Sequence, residues 1–230
     1  MRISSITKNA GKACNNRLYR HIRTFEKIIK NYFVIYDTLD DFKEKARVLK
    51  AGCFLVEVLP AENENNYEYL YQIKQYAKEA GFVYYSKVSW KKGTFVSNTG
   101  RKAKNTQDIM IFSKGKARNM RYDKKKSDLT GKKCYMSGCN GMLPAMFDVQ
   151  PVARKNKIHQ SELPVQLCEE ILEYVTYEGE IILDSFAGSG AVGVAALNKK
   201  RSCILIEILK ENIEKIRTRF NSVLYQTVLE

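Results

Sequence analysis

The chain has 230 residues, 44% hydrophobic and 28% charged, which is enough apolar material for one globular domain of ordinary size with room for an insertion. A formal net charge of +14 makes a polyanion the natural partner to seek. Six scattered cysteines (Cys14, Cys53, Cys134, Cys139, Cys168, Cys203), no signal peptide and no apolar run long enough to span a bilayer argue against a disulfide scaffold or a membrane protein, and for a reduced, cytoplasmic one. Cys134 and Cys139 have no matching second pair, so no metal is expected.

Met1 to Asn15 carry no periodic pattern and read as a loop. Leu18, Ile22, Phe25, Ile29 and Tyr32 recur at helical spacing and predict an amphipathic helix over 16–32, with His21 on its surface. Phe33 to Tyr36 is a short β-prone run, after which Asp37 or Thr38 can cap a helix carrying Leu39, Phe42, Ala46 and Leu49. Gly52 ends that helix, and residues 53–59 (CFLVEVL) predict a buried strand. A helix over about 66–79 follows, stops at Gly81, and leads into an extended run at 82–90 whose tyrosines read as packing residues.

Residues 90–115 begin with Trp90 and a lysine-rich loop and return as a strand at 108–115 (DIMIFSKG). From Lys91 to Lys126 twelve basic residues stand against Asp108 and Asp123, whereas from His159 onward seven basic residues face eleven acidic ones. A basic block beside an acidic half suggests a polyanion docking on one side, with Lys91, Lys92, Arg101, Lys102, Lys104, Lys116, Arg118 and Arg121 as the contacts. The bland alternative is a solvated lysine-rich surface. Residues 116–158 have little apolar periodicity and read as a variable insertion, in which Arg118 and Arg121 can hold phosphates or guanine edges. Pro164 suits the first turn of a helix over 165–177.

The most informative stretch is 181–208. Ile181 to Leu183 read as a buried parallel strand ending at Asp184. Gly188 and Gly190 open a tight turn, Ala191 to Leu197 a helix, and Ile204 to Ile206 a second strand with Glu207 at its end. Glycines here let a ligand approach the backbone, and a carboxylate at the second strand end suits ribose hydroxyls. GSGAVG from 188 to 193 also fits the dinucleotide pattern, but an acidic Asp184 just before the turn is badly placed for a pyrophosphate. It suits a cofactor with a cationic end and no phosphate, such as S-adenosylmethionine. An unliganded glycine turn is the third reading. The final helix begins near 210, and its mixed charges over 210–219 look solvent-facing.

HQSELPVQL at 159–167, DSFAGSG at 184–190 and Glu207 together resemble the permuted, β-class amino-methyltransferases of DNA, which methylate adenine N6 or cytosine N4. ARVLKAGCFLVEV resembles the helix, turn and strand that follow that family's catalytic tetrad. The resemblance implies a Rossmann-like α/β methyltransferase fold, circularly permuted, and S-adenosylmethionine held by Ser161, Pro164, Asp184, Phe186, Ala187, Gly188, Gly190 and Glu207. Leu163 stands where the family usually has lysine. Residues 1–90 would form the N-terminal part of the domain, 91–158 the basic loop and target-recognition insertion, and 159–230 the cofactor-binding part. Double-stranded DNA is the implied partner, with Trp90 and Phe95 as candidates to stack on an extruded base, against a core role for either.

The family's D/N/S-P-P-Y/F tetrad is absent: Pro60, Pro144, Pro151 and Pro164 are never adjacent, so the catalytic residues are unknown. The resemblance puts the tetrad strand between the strands at 181–184 and 53–59, and an incomplete N-terminus is expected. Three explanations stay open: a late start, a companion chain or second copy supplying the strand, or Phe33 to Tyr36 substituting with Asp37 at its end. The competing functional readings are a catalytically inactive DNA-binding partner of the same fold and an NAD-dependent enzyme.

Overall fold

Thr38 caps the first helix among the described residues. Its hydroxyl accepts from the Asp41 amide at 3.3 Å while the Asp41 carboxylate accepts from the Thr38 amide at 2.9 Å, a reciprocal cap that fixes the start of the first helix. The computed structural model describes residues 38–93, 105–120, 124–126, 133–135, 142–158 and 161–228. The expected helix over 16–32, the strand at Phe33 to Tyr36, His21, Phe95 and His159 lie outside the described residues.

In chain order the elements are α1 (Leu39–Val48), β1 (Phe54–Pro60), α2 (Tyr67–Glu79), β2 (Phe82–Lys91), β3 (Thr106–Lys114), β4 (Lys124–Lys126), β5 (Lys133–Tyr135) and β6 (Met146–Asp148). They continue with a 3-10 turn, α3 (Val165–Val175), β7 (Ile181–Asp184), α4 (Ala191–Asn198), β8 (Ser202–Leu205) and α5 (Lys210–Val228). Among the described residues the strands form a mixed sheet in the order β1-β3-β2-β6, an antiparallel β4-β5 pair and a parallel β7-β8 pair.

β3 shows why the larger sheet is stable. Ile109 to Phe112 are four consecutive apolar residues, each no more than 1% exposed, because β3 lies between β1 and β2 and is covered on both faces. Alternation sends Met110 and Phe112 to a cluster with Phe42 and Ala46 of α1 and Leu70, Ile73 and Ala77 of α2. Ile109 and Ile111 point the other way, to Leu167, Ile171 and Val175 of α3. The opposite side of α3, Cys168 and Leu172, packs on Ala191, Ala195 and Ala196 of α4. One helix thus joins the four-stranded sheet to the β7–β8 unit.

Several expectations change. The segment at 106–114 is a central strand, paired with β1 on one side and β2 on the other, and the insertion contributes β6, which adds in parallel to the outer edge of β2 and buries Phe147. Pro164 is the N-cap of α3 rather than a first-turn residue. The second parallel strand ends at Leu205, which leaves Glu207 in the loop beyond it. β7 is not buried: Ile181 is 68% and Leu183 42% exposed, since among the described residues β7 pairs only with β8 and the α3–α4 layer covers one face. Tyr84 and Tyr85 are about half exposed, yet each keeps one edge-on ring contact, Tyr84 with Phe112 at 5.8 Å and Tyr85 with Phe54 at 5.0 Å.

Candidate functional site

The chain leaves β7 through a turn built by its own backbone. The Asp184 carboxylate accepts from the Phe186 amide at 3.0 Å, an Asx turn that starts the reversal. The amide of Ala187 donates to the Ile206 carbonyl at 3.0 Å, and the amide of Gly190 to the Ala187 carbonyl at 2.7 Å. Gly188 (φ 51°) and Gly190 (φ 73°) both take left-handed backbone, which side chains disfavour. Gly193 has a different task. A Cβ there would come within 2.6 Å of Phe220 and 2.7 Å of Leu205, so this glycine exists to let α4 lie against α5 and β8.

Glu207 closes the turn from the other strand. One carboxylate oxygen accepts from the Gly188 amide at 2.9 Å and the other from the Leu209 amide at 2.8 Å. Two carboxylates, Asp184 and Glu207, therefore stand at the carboxyl ends of neighbouring parallel strands, with exposed Phe186, Ile208 and Leu209 beside them. Burial pushes the Asp184 carboxyl above the usual range and the nearby Glu207 charge adds to the rise, against the opposing pull of the Phe186 amide and Lys45. Lys45 reaches the site from α1: its ammonium lies 2.7 Å from Glu57 of β1 and 5.5 Å from the centre of the Phe186 ring.

A second clamp lies behind the turn. Arg219 of α5 donates to Glu162 at 2.7 Å and to the Ser189 carbonyl at 3.0 Å, and Glu162 also accepts from the Ile158 amide at 2.7 Å. Glu162 and Arg219 side chains are only 2% and 17% exposed. This clamp draws the segment holding Ser161 and Pro164 toward the glycine turn; Ser161 is exposed and Pro164 buried. Leu163, at the position where lysine was expected, packs into both hydrophobic clusters that flank α3.

Asp184, Phe186, Ala187, Gly188, Gly190 and Glu207 thus come together, as the sequence spacing implies. Of the expected DNA contacts, Arg101, Lys102, Lys104 and Arg121 lie outside the described residues. Lys116 is exposed. Lys91 pairs with Asp148 at 2.9 Å, and Lys92 lies 5.2 Å from the Trp90 ring centre, its basicity lowered by burial and by Lys157. Arg118 is turned inward, where it binds both carboxylate oxygens of Glu180 and the Val175 carbonyl. Trp90 is a core residue, 2% exposed with its indole N–H on the Val149 carbonyl at 2.8 Å, and has no free face for a base.

Sequence reasoning passed over Lys45, Glu57, Glu162 and Arg219. The charges of α5 were read as solvent-facing, yet Arg219 sits beside Phe220 and three residues after Ile216, on the apolar stripe of that helix. A charged residue on a buried stripe was the available signal. Among the described residues no group of three or more His, Cys, Asp or Glu is placed to hold a metal, and no helix is long and apolar enough to cross a membrane.

Fold and site together define a mixed α/β domain whose strand–turn–helix–strand unit carries a glycine turn and two carboxylates past its parallel strands. The chain belongs to the N6/N4 DNA methylase family, whose model matches residues 16–218. It is similar to the type II methyltransferase M.HpaI of Haemophilus parainfluenzae, 29% identical over 161 residues, covering 67% of this chain and 50% of that protein. It also resembles the type II methyltransferase M.BglI of Bacillus subtilis, 40% identical over 57 residues, or 25% of this chain and 16% of the relative. The matches therefore span half or less of these relatives' length. The fold is that of M1.HpyAVI, solved as its SAM complex, with a TM-score of 0.60, 22% identity, and coverage of 80% of this chain and 81% of that one.

Proposed function

We propose that this chain binds S-adenosylmethionine at the glycine turn and serves methyl transfer to an exocyclic amine of DNA, adenine N6 or cytosine N4, in the permuted arrangement of the family. The observation that carries the reading is the Glu207 carboxylate pinned by the Gly188 and Leu209 amides, next to Asp184 at the adjoining strand end. The two carboxylates at the strand ends, Asp184 and Glu207, suit a cofactor that is cationic and lacks phosphate, with Lys45 the basic group that reaches Phe186. When bound, that cofactor supplies an electrophilic methyl group.

The chain's own groups then have separable tasks. Glu207, already oriented by two amides, accepts from ribose hydroxyls without further ordering. Asp184 meets the cationic end, and Phe186, Ile208 and Leu209 flank the nucleoside. No covalent intermediate is needed, and the buried Cys168 thiol, pushed up to about 12, is unsuited to be a nucleophile. In-line positioning of the amine supplies most of the acceleration in such a reaction.

Lys91, Lys92 and Lys116, with Arg101, Lys102, Lys104 and Arg121, would engage the phosphate backbone of double-stranded DNA in the cytoplasm. Since no two prolines are adjacent in the 230 residues, neither this chain nor a second copy of it carries the family's amine-holding tetrad, and a companion chain, or Phe33 to Tyr36 with Asp37 substituting, would have to do its work. Titration calorimetry with S-adenosylmethionine tests the cofactor reading, and tritiated methyl transfer to unmethylated DNA tests the reaction. Saturable binding is expected; failure to bind sinks the reading. Binding without transfer, alone or with a tetrad-bearing partner, would identify an inactive DNA-binding subunit.

A further inference from the structure

We infer that Arg219 is a positioning residue for the cofactor turn: it sets the Gly188–Gly190 bend from behind by holding the Ser189 carbonyl and Glu162 at once. The inference rests on the cofactor reading above and assigns Arg219 no contact with the ligand. Three parts of the chain far apart in sequence meet on its guanidinium. It donates to Glu162 at 2.7 Å and to the Ser189 carbonyl, between the two left-handed glycines, at 3.0 Å. Glu162 passes the constraint to the Ile158 amide at 2.7 Å, just ahead of Ser161 and Pro164.

The chemistry explains why an arginine suits this place. Ser189 is 4% exposed, so its carbonyl is shielded from water and is met here by a charged donor. Glu162, nearly wholly buried, is paired with the guanidinium it faces. On the other side of the same turn, Gly188 gives its amide to Glu207. The bend is therefore gripped twice, at Gly188 from the ligand side and at Ser189 from the α5 side. Loosening the second grip lets the first drift, and a ligand must then order both on binding.

The test compares Arg219→Met, Arg219→Lys and Glu162→Gln with Arg118→Met in the full-length chain. Arg118→Met breaks another arginine–glutamate pair, the bidentate one with Glu180, away from the turn, and reports what loss of stability alone does. Arg219→Met is expected to weaken S-adenosylhomocysteine binding about tenfold or more, Glu162→Gln less, with partial recovery in Arg219→Lys. Hydrogen exchange over residues 185–190 should rise in Arg219→Met and not in Arg118→Met. Should Arg219→Met fail to fold, Glu162→Gln carries the same comparison. Unchanged affinity and unchanged exchange, or equal losses in Arg118→Met, overturn the inference. Absence of binding by the unsubstituted chain sinks the cofactor reading instead, and the exchange comparison still decides whether Arg219 sets the turn.

Discussion

Glu207 accepts the amide of Gly188 at 2.9 Å across nineteen residues of chain, so the bend after one parallel strand is held by a carboxylate that follows its neighbour. Glu207→Ala should therefore do two things at once, removing a ligand acceptor and releasing the turn. We predict a loss of S-adenosylhomocysteine affinity of about tenfold or more, with Glu207→Gln in between because it keeps one acceptor oxygen. Calorimetric titration of the three proteins checks the order.

Asp184 should separate binding from stability. Its folded-state carboxyl titrates above the ordinary range because of burial and then Glu207, so the folded chain holds that proton more tightly than the unfolded one. The associated stability is present at low pH and is lost as pH rises through the folded-state value. Asp184→Asn is thus expected to melt higher than wild type at about pH 7, the difference fading below about pH 4, where both side chains are neutral. Cofactor affinity should move the opposite way. Melting curves across pH, paired with titrations, test both directions.

The glycines of the site differ in kind, and alanine scanning should show it. Gly193→Ala places a Cβ within 2.6 Å of Phe220 and 2.7 Å of Leu205, an overpacking that costs about 1–3 kcal/mol. Gly190→Ala meets both a left-handed φ of 73° and Ile216 at 3.2 Å. Gly179 has a φ of 81° but open space around it, so Gly179→Ala should carry only the backbone penalty, about 1–2 kcal/mol. Urea unfolding gives all three values, and a Gly179→Ala cost equal to or above that of Gly190→Ala would contradict the reading.

Much of this was legible before any coordinates. The capped helix after Thr38, the strands at 54–60 and 106–114 and the turn from Asp184 to Gly190 all announce themselves through periodicity, glycine and capping chemistry, which are local properties, although 54–60 is half-buried and not the buried strand its apolar run predicts. What was not legible depends on partners distant in sequence. Trp90 stays open between stacking and core until Val149 and α3 close over it. Arg118 reads as a DNA contact until Glu180 is found 62 positions away on its guanidinium. Arg219 was hidden by the exposed charges around it, such as the Glu214–Arg217 pair.

Arg118 and Lys116 should also part company on DNA. Glu180 holds the Arg118 guanidinium inward, with burial of the Glu180 carboxyl outweighed by the ion pair so that it stays ionised below the usual range. Lys116→Ala is predicted to weaken DNA binding and reduce the salt slope by about one, as expected for one lost phosphate contact. Arg118→Met should leave that slope unchanged and lower the melting temperature instead. Because the Glu180 shift is downward, its stabilisation is present above the ordinary carboxylate range and lost as pH falls through the folded-state value, so the Arg118→Met penalty should shrink in acid.

Calorimetric titration of the full-length chain with S-adenosylhomocysteine reaches the central claim most directly. One saturable site per chain, lost or strongly weakened in Glu207→Ala, is the predicted result. No heat with the correctly folded chain, or the same affinity after Glu207→Ala, would contradict a nucleoside seat at this turn.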